Sequence, residues 1–462
     1  MDSDDMWNRQ LSRRGLMSGA VTAAGVAAAA AACSSSGYTK GSSPTQASPA
    51  PKVTVAGTVP PYAPLTAQTQ GELASWFNPA TDTKWKKNPI TVHVSSWWAP
   101  QPEIAGAEAA FNHFFTPHTG IKVVYEYIGT NYDGKVLTRI ASGNPYDVVT
   151  FNANSVGNYA KKGTLTDLRS FIDRDKYDVS DFYPWAATEY TFDGTRYGLT
   201  NDVGGYYLYY NAEKLRKAGI QPPSPTWTWD QLLDAAKALT IRKGSSTTQW
   251  GVDVSDLGGA HPLWARMNGV DLWNHDVSQI NLADPRVIRA CQFAYDLMYT
   301  HKVAPRPGAF PAGSLDAFAA GKTALLIGGS WGVDYFRYKQ VKIPWNIAYL
   351  PTGPDAVGPV HPYIFAAGWV IPKGVKDPDA SWVTMKFYAS KFFSNHVMGR
   401  VLSSLPSRKS ELVTPSAYDL SPKVQPKGLT QRFLTEYMRL ATTGPQDRVR
   451  KNWPAGSTRE AC

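Results

Sequence analysis

Between Thr91 and Phe151 the apolar residues switch back and forth between the two periods by which a chain can bury one face. Thr91-Val92-His93-Val94 is a β-branched run, and the stretch from Glu103 to Phe115 then sets Ala107, Ala110, Phe111, Phe114 and Phe115 at helical intervals. Ile121 to Ile128 reads as a second strand, Val136 to Ala141 as a second helical segment, and Asp147 to Phe151 as a third strand. Strands separated by helical crossovers lie parallel, so the expected class is α/β, a mostly parallel sheet wrapped by helices. In such sheets a ligand sits beyond the carboxyl ends of the strands, which directs attention to Trp97 and Trp98 after the first strand and to Asn152 after the third.

Ahead of this body the chain has a different character. Ser12-Arg13-Arg14-Gly15-Leu16-Met17 forms a twin-arginine head, an uncharged stretch follows from Gly15 to Ala32, and Ala30-Ala31-Ala32 leads into Cys33. This pattern predicts an export signal over residues 1–32 and a lipid-attachment cysteine at Cys33. The uncharged stretch is mostly Ala and Gly, whose transfer into hydrocarbon contributes little, which argues against a retained transmembrane helix. Residues 33–87 read as a Ser/Pro/Ala-rich, lipid-anchored linker, with Leu73, Trp76, Phe77 and Trp85 apolar enough to dock its tail. The expected location is outside the cell, tied to the outer face of its membrane.

The chain carries 47 Lys and Arg against 37 Asp and Glu, a net charge of +10, and the leader balances Asp2, Asp4 and Asp5 with Arg9, Arg13 and Arg14. The excess therefore belongs to the body, spread without a Lys/Arg run, which suits an anionic surface better than a nucleic-acid groove. No nucleic-acid partner is expected. The eight histidines show no metal-ligand spacing, and neither a calcium loop nor a phosphate-cradling Gly-x-x-x-x-Gly-Lys-Ser/Thr is present, so no metal and no cofactor is expected. Of the three cysteines, Cys291 reads as a small buried hydrophobe, with a bridge to Cys462 left open.

Gly205-Tyr206-Tyr207-Leu208-Tyr209-Tyr210-Asn211 is a buried strand, Ala212 to Ala218 a short helix stopped by Gly219, and Thr228-Trp229-Asp230-Gln231 has capping-box spacing before the stripe Leu232, Leu233, Ala236 and Leu239. This order closely resembles the sugar-type extracellular solute-binding proteins of ABC importers. The resemblance continues through Pro145 to Val149, through Phe318 to Trp331 with its Gly-x-Trp element, through Ala366 to Gly374, through Asp377 to Trp382 with Asp377 as N-cap, and through Leu405 to Arg408. It implies a two-lobed periplasmic-binding-protein-like fold of the class II type, each lobe a mostly parallel sheet flanked by helices, joined by hinge crossovers. Lobe 1 is expected over 88–200 and 362–395, and lobe 2 over 201–361 and 396–462. The resemblance also implies a monomer that is not an enzyme, with a sugar or oligosaccharide as ligand and ABC transporter permease subunits as partners.

A sugar offers hydroxyls in fixed geometry and apolar C–H faces, so it calls for aromatic plates and placed polar groups. Trp331 follows an apolar strand and two glycines, where the family offers a stacking aromatic. Trp97 or Trp98 either stacks on ligand or packs between lobes; Trp264, Trp369 and Tyr206 are stacking candidates with core packing as the alternative. Polar candidates are Asn152 (ligand or cap), Asn201 and Asp202 (ligand or turn), and Arg408 (ligand hydroxyls or a salt bridge). Two enzyme readings compete. Gly328-Gly329-Ser330-Trp331-Gly332 satisfies Gly-x-Ser-x-Gly, with His361 or His396 and Asp355 or Asp377 following in order, but no helix with good start signals follows Ser330. A glycosidase would need paired carboxylates, and none is placed near the cleft loops. Which sugar is bound, or whether it is a polyol or peptide, stays open.

Overall fold

The computed structural model describes residues 67–97, 104–129, 131–257, 261–272, 280–339, 341–357, 364–394 and 405–411. Cys33, Trp98, His361, His396 and Cys462 lie outside the described residues. The chain enters through α1 (Ala67–Trp76) and α2 (Pro79–Asp82), the latter capped by the Asn78 side chain, which accepts from the Ala80 amide. β1 (Ile90–Ser96), α3 (Ala105–Ala110), β2 (Ile121–Tyr127), α4 (Tyr132–Ala141), β3 (Val148–Asn152) and α5 (Ala153–Lys161) follow. These are the alternating elements the periodicity predicts, and β1 pairs in parallel with both β2 and β3. After α6 (Arg169–Asp175), α7 (Pro184–Glu189) and the hairpin β4 (Thr191–Phe192) and β5 (Thr195–Arg196), the chain enters β6 (Gly198–Asn211).

β6 is fourteen residues long and serves both halves of the molecule. Beyond it run α8 (Ala212–Lys217), α9 (Trp229–Leu239), β7 (Ile241–Lys243), β8 (Ser246–Asp253), α10 (Pro262–Met267), α11 (Pro285–Met298), α12 (Ser314–Ala319), β9 (Thr323–Gly329), α13 (Trp331–Tyr338) and β10 (Trp345–Ala348). The return is made by β11 (Ile364–Val370), α14 (Pro378–Tyr388), α15 (Lys391–Phe393) and β12 (Leu405–Pro406). The strand order is β2-β1-β3-β11-β6-β9-β8-β7. Gly198 to Gly205 of β6 pair with β11, and Tyr206 to Tyr210 pair with β9. The first lobe's sheet thus ends, and the second's begins, in the middle of one strand. The parallel pairs β2-β1-β3 and β8-β9 belong to the βα units of each lobe, while β11 runs antiparallel to β3 and β6, and β6 antiparallel to β9.

Local signals act where the sequence places them. Thr228 and Gln231 close a reciprocal capping box on α9, Asn211 caps α8, and Asp377 caps α14 ahead of Pro378. Successive side chains of β6 alternate between two cores, Tyr207 and Tyr209 on one face, Leu208 and Tyr210 on the other. Both faces are covered, which explains the almost uninterrupted apolar run.

The structure moves one boundary. Residues 67–87, assigned by composition to the linker that ends at 87, fold with the first lobe: Leu73, Trp76 and Trp85 are buried in the core of β1, β2 and α14. Trp76 stacks on Phe115 at 5.5 Å and meets Phe387 edge-on at 4.9 Å. Trp85 donates to the Asp377 carboxylate, and its backbone lies against Gly120, where a Cβ would come within 2.4 Å of the Trp85 carbonyl oxygen. Such burial contributes roughly 1.5 to 3 kcal/mol per large side chain, more than a free spacer gains by staying solvated. A buried ion triad fixes the segment in place. Lys386 Nζ lies 2.9 Å from Asp82 and 2.7 Å from Asp175, with all three side chains at most 3% exposed. Burial pushes the Asp175 carboxyl up, but hydrogen bonds from Arg174, Lys386 and Trp382 outweigh it and hold the group at about 2.

Removing one member of this triad leaves a buried charge short of a partner. Asp82→Ala is expected to lower unfolding free energy by about 3 kcal/mol in urea denaturation, and Asp82→Ala with Lys386→Met to recover most of that loss. Equal stability of the wild type and Asp82→Ala would show that residues 67–87 are not part of the fold.

Candidate ligand site

Of the fourteen residues of β6, twelve are buried and two, Asp202 and Tyr206, are partly open. Gly204 stands between them. This short open face lies where the sheet passes from one lobe to the other, beside the carboxyl ends of β3 and β9 and the first residues of β11. It is the place at which one strand serves both sheets.

Three aromatic rings surround it. Trp331 follows the end of β9 and is 44% exposed. Its indole folds back over Gly329, where a Cβ would come within 2.0 Å of the ring, so only glycine permits this placement. Phe365, at the start of β11, lies over Gly204 in the same manner, with a Cβ there 2.6 Å from its ring. Tyr206 stands 5.8 Å from Trp331 and 6.0 Å from Phe365, and those two are 5.8 Å apart. The cluster is thus mutually supported and open on the Trp331 side. His261 completes it, meeting Tyr206 edge-on at 5.2 Å. Its Nδ1 accepts from the Leu263 amide at the start of α10, and burial lowers its pKa to about 4, so the imidazole is neutral at pH 7.

The other sequence candidates fall in several places. Trp97 is half-buried after β1 and packs edge-on against Tyr132 at 5.0 Å, whose hydroxyl donates to the Ser95 carbonyl. Asn152 is the exposed last residue of β3 and begins α5 without a side-chain cap. Asn201 occupies a β-bulge: Ala367 pairs with Asp202 and Gly368 with Thr200, so Asn201 is passed over. It lies in a continuous strand rather than a turn, and its Oδ1 is buried without a partner.

Three candidates turn out to be core residues. Trp264 is fully buried against Trp229 and Phe293, which α10 needs for its anchorage. Trp369 is fully buried and stacks on Tyr388 at 3.9 Å. Arg408 is buried too: its guanidinium donates to the Ala389 carbonyl and Tyr177 hydroxyl and covers the Phe182 ring at 4.0 Å. It lines a polar cavity of about 470 Å³ with Asp175, Asp181 and Lys391, whose charges already pair with neighbouring groups. Neither tryptophan has a face to offer a solute. Phe365 and His261 escape the sequence reading, although His261-Pro262 carries a start signal for α10.

Contrary to expectation, a helix does follow Ser330. α13 lacks strong start signals but is held by Val333 and Phe336, buried in the core shared by the lobes. The strand, turn and helix still do not make a nucleophile elbow. Ser330 does not adopt the positive φ of a strained turn, Asp355 is held by Arg289 and Asn268, and Asp377 caps α14. Among the described residues no group of three or more His, Cys, Asp or Glu side chains converges as a metal site.

Residues 98–391 match the family described as bacterial extracellular solute-binding protein. Among curated proteins, the maltodextrin-binding protein MdxE of Bacillus subtilis is 25% identical over 54% of this chain and 58% of its own length. The maltooligosaccharide ABC transporter solute-binding lipoprotein of Streptococcus pneumoniae is 26% identical over 52% and 55%. The chain spans little more than half the length of either relative. Among solved structures, an ABC substrate-binding protein from Listeria monocytogenes in complex with cycloalternan superposes with a TM-score of 0.63, at 23% identity, over 79% of this chain and 96% of the other. The GacH receptor of Streptomyces glaucescens gives 0.61, 21%, 78% and 96%. Both support the fold.

The state of His261 has a pH signature. The unfolded chain takes that proton near pH 6.5 and the folded protein near 4, so the unfolded state binds more protons between these values. Stability therefore falls as pH drops through this window, by about 3 kcal/mol in all, and no further below 4. The stability difference between wild type and His261→Asn, followed by urea denaturation from pH 7 to 4, is expected to trace this loss; a flat difference would contradict it.

Proposed function

The chain belongs to the bacterial extracellular solute-binding protein family, and from that premise we propose that it captures a sugar or oligosaccharide at the aromatic cluster on β6 and delivers it to the permease of an ABC transporter. The observation that carries this reading is the half-open pair Asp202 and Tyr206, set on the strand common to both lobes and walled by Trp331 and Phe365. Flat rings suit the C–H faces of a sugar, and a carboxylate, a phenol and a neutral imidazole suit its hydroxyls. The relatives named above bind maltodextrin or maltooligosaccharide by their own descriptions, which supports the same class of solute here.

In this reading, the lobes are residues 67–200 with 362–395, and 201–361 with 396–462. The β6 bulge at Asn201 is the hinge, and contacts made to both lobes only after closure shift the population to a closed form that the permease reads. Residues 1–32 direct export, Cys33 carries the lipid, and the intervening spacer holds a monomeric body at the outer face of the membrane. The protein makes and breaks no bonds.

A panel of maltotriose, mannotriose, arabinotriose and mannitol tests the proposal by thermal unfolding. One member is expected to raise the melting temperature by several degrees, since a ligand at a hundred times its Kd adds about 2.7 kcal/mol to the folded state. Trp331→Ala should abolish the rise and leave the unliganded melting temperature close to that of the wild type, because the ring stands on the surface. No response from any member, or consumption of one, would contradict it.

A further inference from the structure

We propose that the end of the second lobe farthest from the aromatic cluster is a docking surface for a bilayer of anionic phospholipid. The strands fix which end this is. β9 finishes next to Trp331 and β8 runs parallel to it, so the amino ends of both strands lie about 20 Å further from the cluster than their carboxyl ends. Six cations gather there. Lys237 is in the last turn of α9, Arg242 and Lys243 lie on β7, Lys302 follows α11, Lys322 precedes β9 and Lys342 precedes β10, and all six are exposed. Contacts tie these segments together: the Arg242 guanidinium donates to the Lys302 carbonyl at 2.8 Å, and the Lys322 carbonyl accepts from the Trp250 amide of β8. α8 links the rest, its first amide donating to the Pro344 carbonyl and its Lys214 ammonium to the Gly321 carbonyl at 2.7 Å.

Among the described residues none of the six forms an ion pair. The acids of this end are held elsewhere: Glu213 pairs with Lys217 at 2.7 Å, and Asp296 accepts from Gln292 and Thr300. Asp234 and Asp316 stand further back along α9 and α12. Lysines suit helix carboxyl ends, and edge strands carry charge against mispairing, which serves Lys237, Lys302 and Arg242 one at a time. Those roles permit a balancing acid beside each cation, and here the balance is missing.

The outer-face location proposed above keeps the body within reach of headgroups, and each Lys or Arg close to an anionic leaflet adds to the attraction. The turn between β7 and β8, made at Gly244 with φ 59°, also exposes Ser245 and Ser246, hydroxyl donors for phosphate oxygens, and Ile241, an apolar side chain 49% exposed. Docking by this end leaves the aromatic cluster uncovered, so a membrane-bound protein still takes up solute.

Vesicle co-sedimentation tests the inference with the full chain carrying Cys33→Ser, which has no thiol at the acylation position. Phosphatidylcholine vesicles measure any uptake by the leader, and vesicles containing about a third phosphatidylglycerol add the electrostatic part. The chain is expected to bind the anionic vesicles at least tenfold more tightly and to lose that preference at high salt. Lys237→Gln, Lys243→Gln and Lys322→Gln together should weaken anionic binding at least tenfold. Lys122→Gln, Lys135→Gln and Lys162→Gln remove the same charge from exposed positions of the first lobe and should change it less than threefold. Both triple variants should melt within about 2 °C of their parent. No preference for anionic vesicles, or equal losses in the two triple variants, overturns the inference; the sugar panel reads the solute separately, and fatty-acid labelling at Cys33 reads the anchor by itself.

Discussion

A single strand shared by two sheets governs this molecule. β6 pairs with β11 through its first eight residues, Asn201 excepted, and with β9 through the next five, and it is covered on both faces by cores that reach Val203, Tyr207 and Tyr209 on one side and Leu208 and Tyr210 on the other. Because nearly all of it is buried, the two positions that open, Asp202 and Tyr206, mark the seam between lobes. The bulge at Asn201 breaks the regular ladder next to this seam, and an interrupted ladder bends more readily than an intact one.

Two glycines give the seam its chemistry. Gly329 and Gly204 leave room for Trp331 and Phe365 to lie directly on backbone, and Tyr206 fills the space between those rings. The cluster therefore keeps its arrangement without a ligand and has little ordering left to lose on binding. At the far end of the first lobe, the Asp82, Lys386 and Asp175 triad and the indoles of Trp76 and Trp85 hold residues 67–87 against α14.

The βα units were legible because their evidence is local: apolar spacing over Thr91 to Phe151, the capping box at Thr228, and Asp377-Pro378 at a helix start each act within a few residues. The position of Trp331 was legible as well, since the glycine that makes room for it stands two residues away. Trp264 and Trp369 were ambiguous for the opposite reason. An indole near the end of an apolar element reads the same whether its partners are a solute or Phe293 and Tyr388, which lie far along the chain or on another element. Arg408 is satisfied by Ala389 and Tyr177, and Phe365 is placed by Gly204, contacts that only the folded chain makes. The helix after Ser330 has weak start signals and exists through the burial of Val333 and Phe336, a tertiary gain that propensity does not register. Composition likewise placed residues 67–87 in a spacer, and only Leu73, Trp76, Phe77 and Trp85 pointed to a docked tail; those four side chains are few in such a stretch but sufficient once a core accepts them.

The most direct measurement is a crystal structure of the protein grown with the panel sugar that stabilises it most. The account predicts one intact sugar between the lobes, its ring face on Trp331 and its hydroxyls within hydrogen-bonding distance of Asp202 and His261. Density for the sugar elsewhere, such as the polar cavity lined by Arg408 and Lys391, or a cleaved glycosidic bond at Ser330, would contradict it.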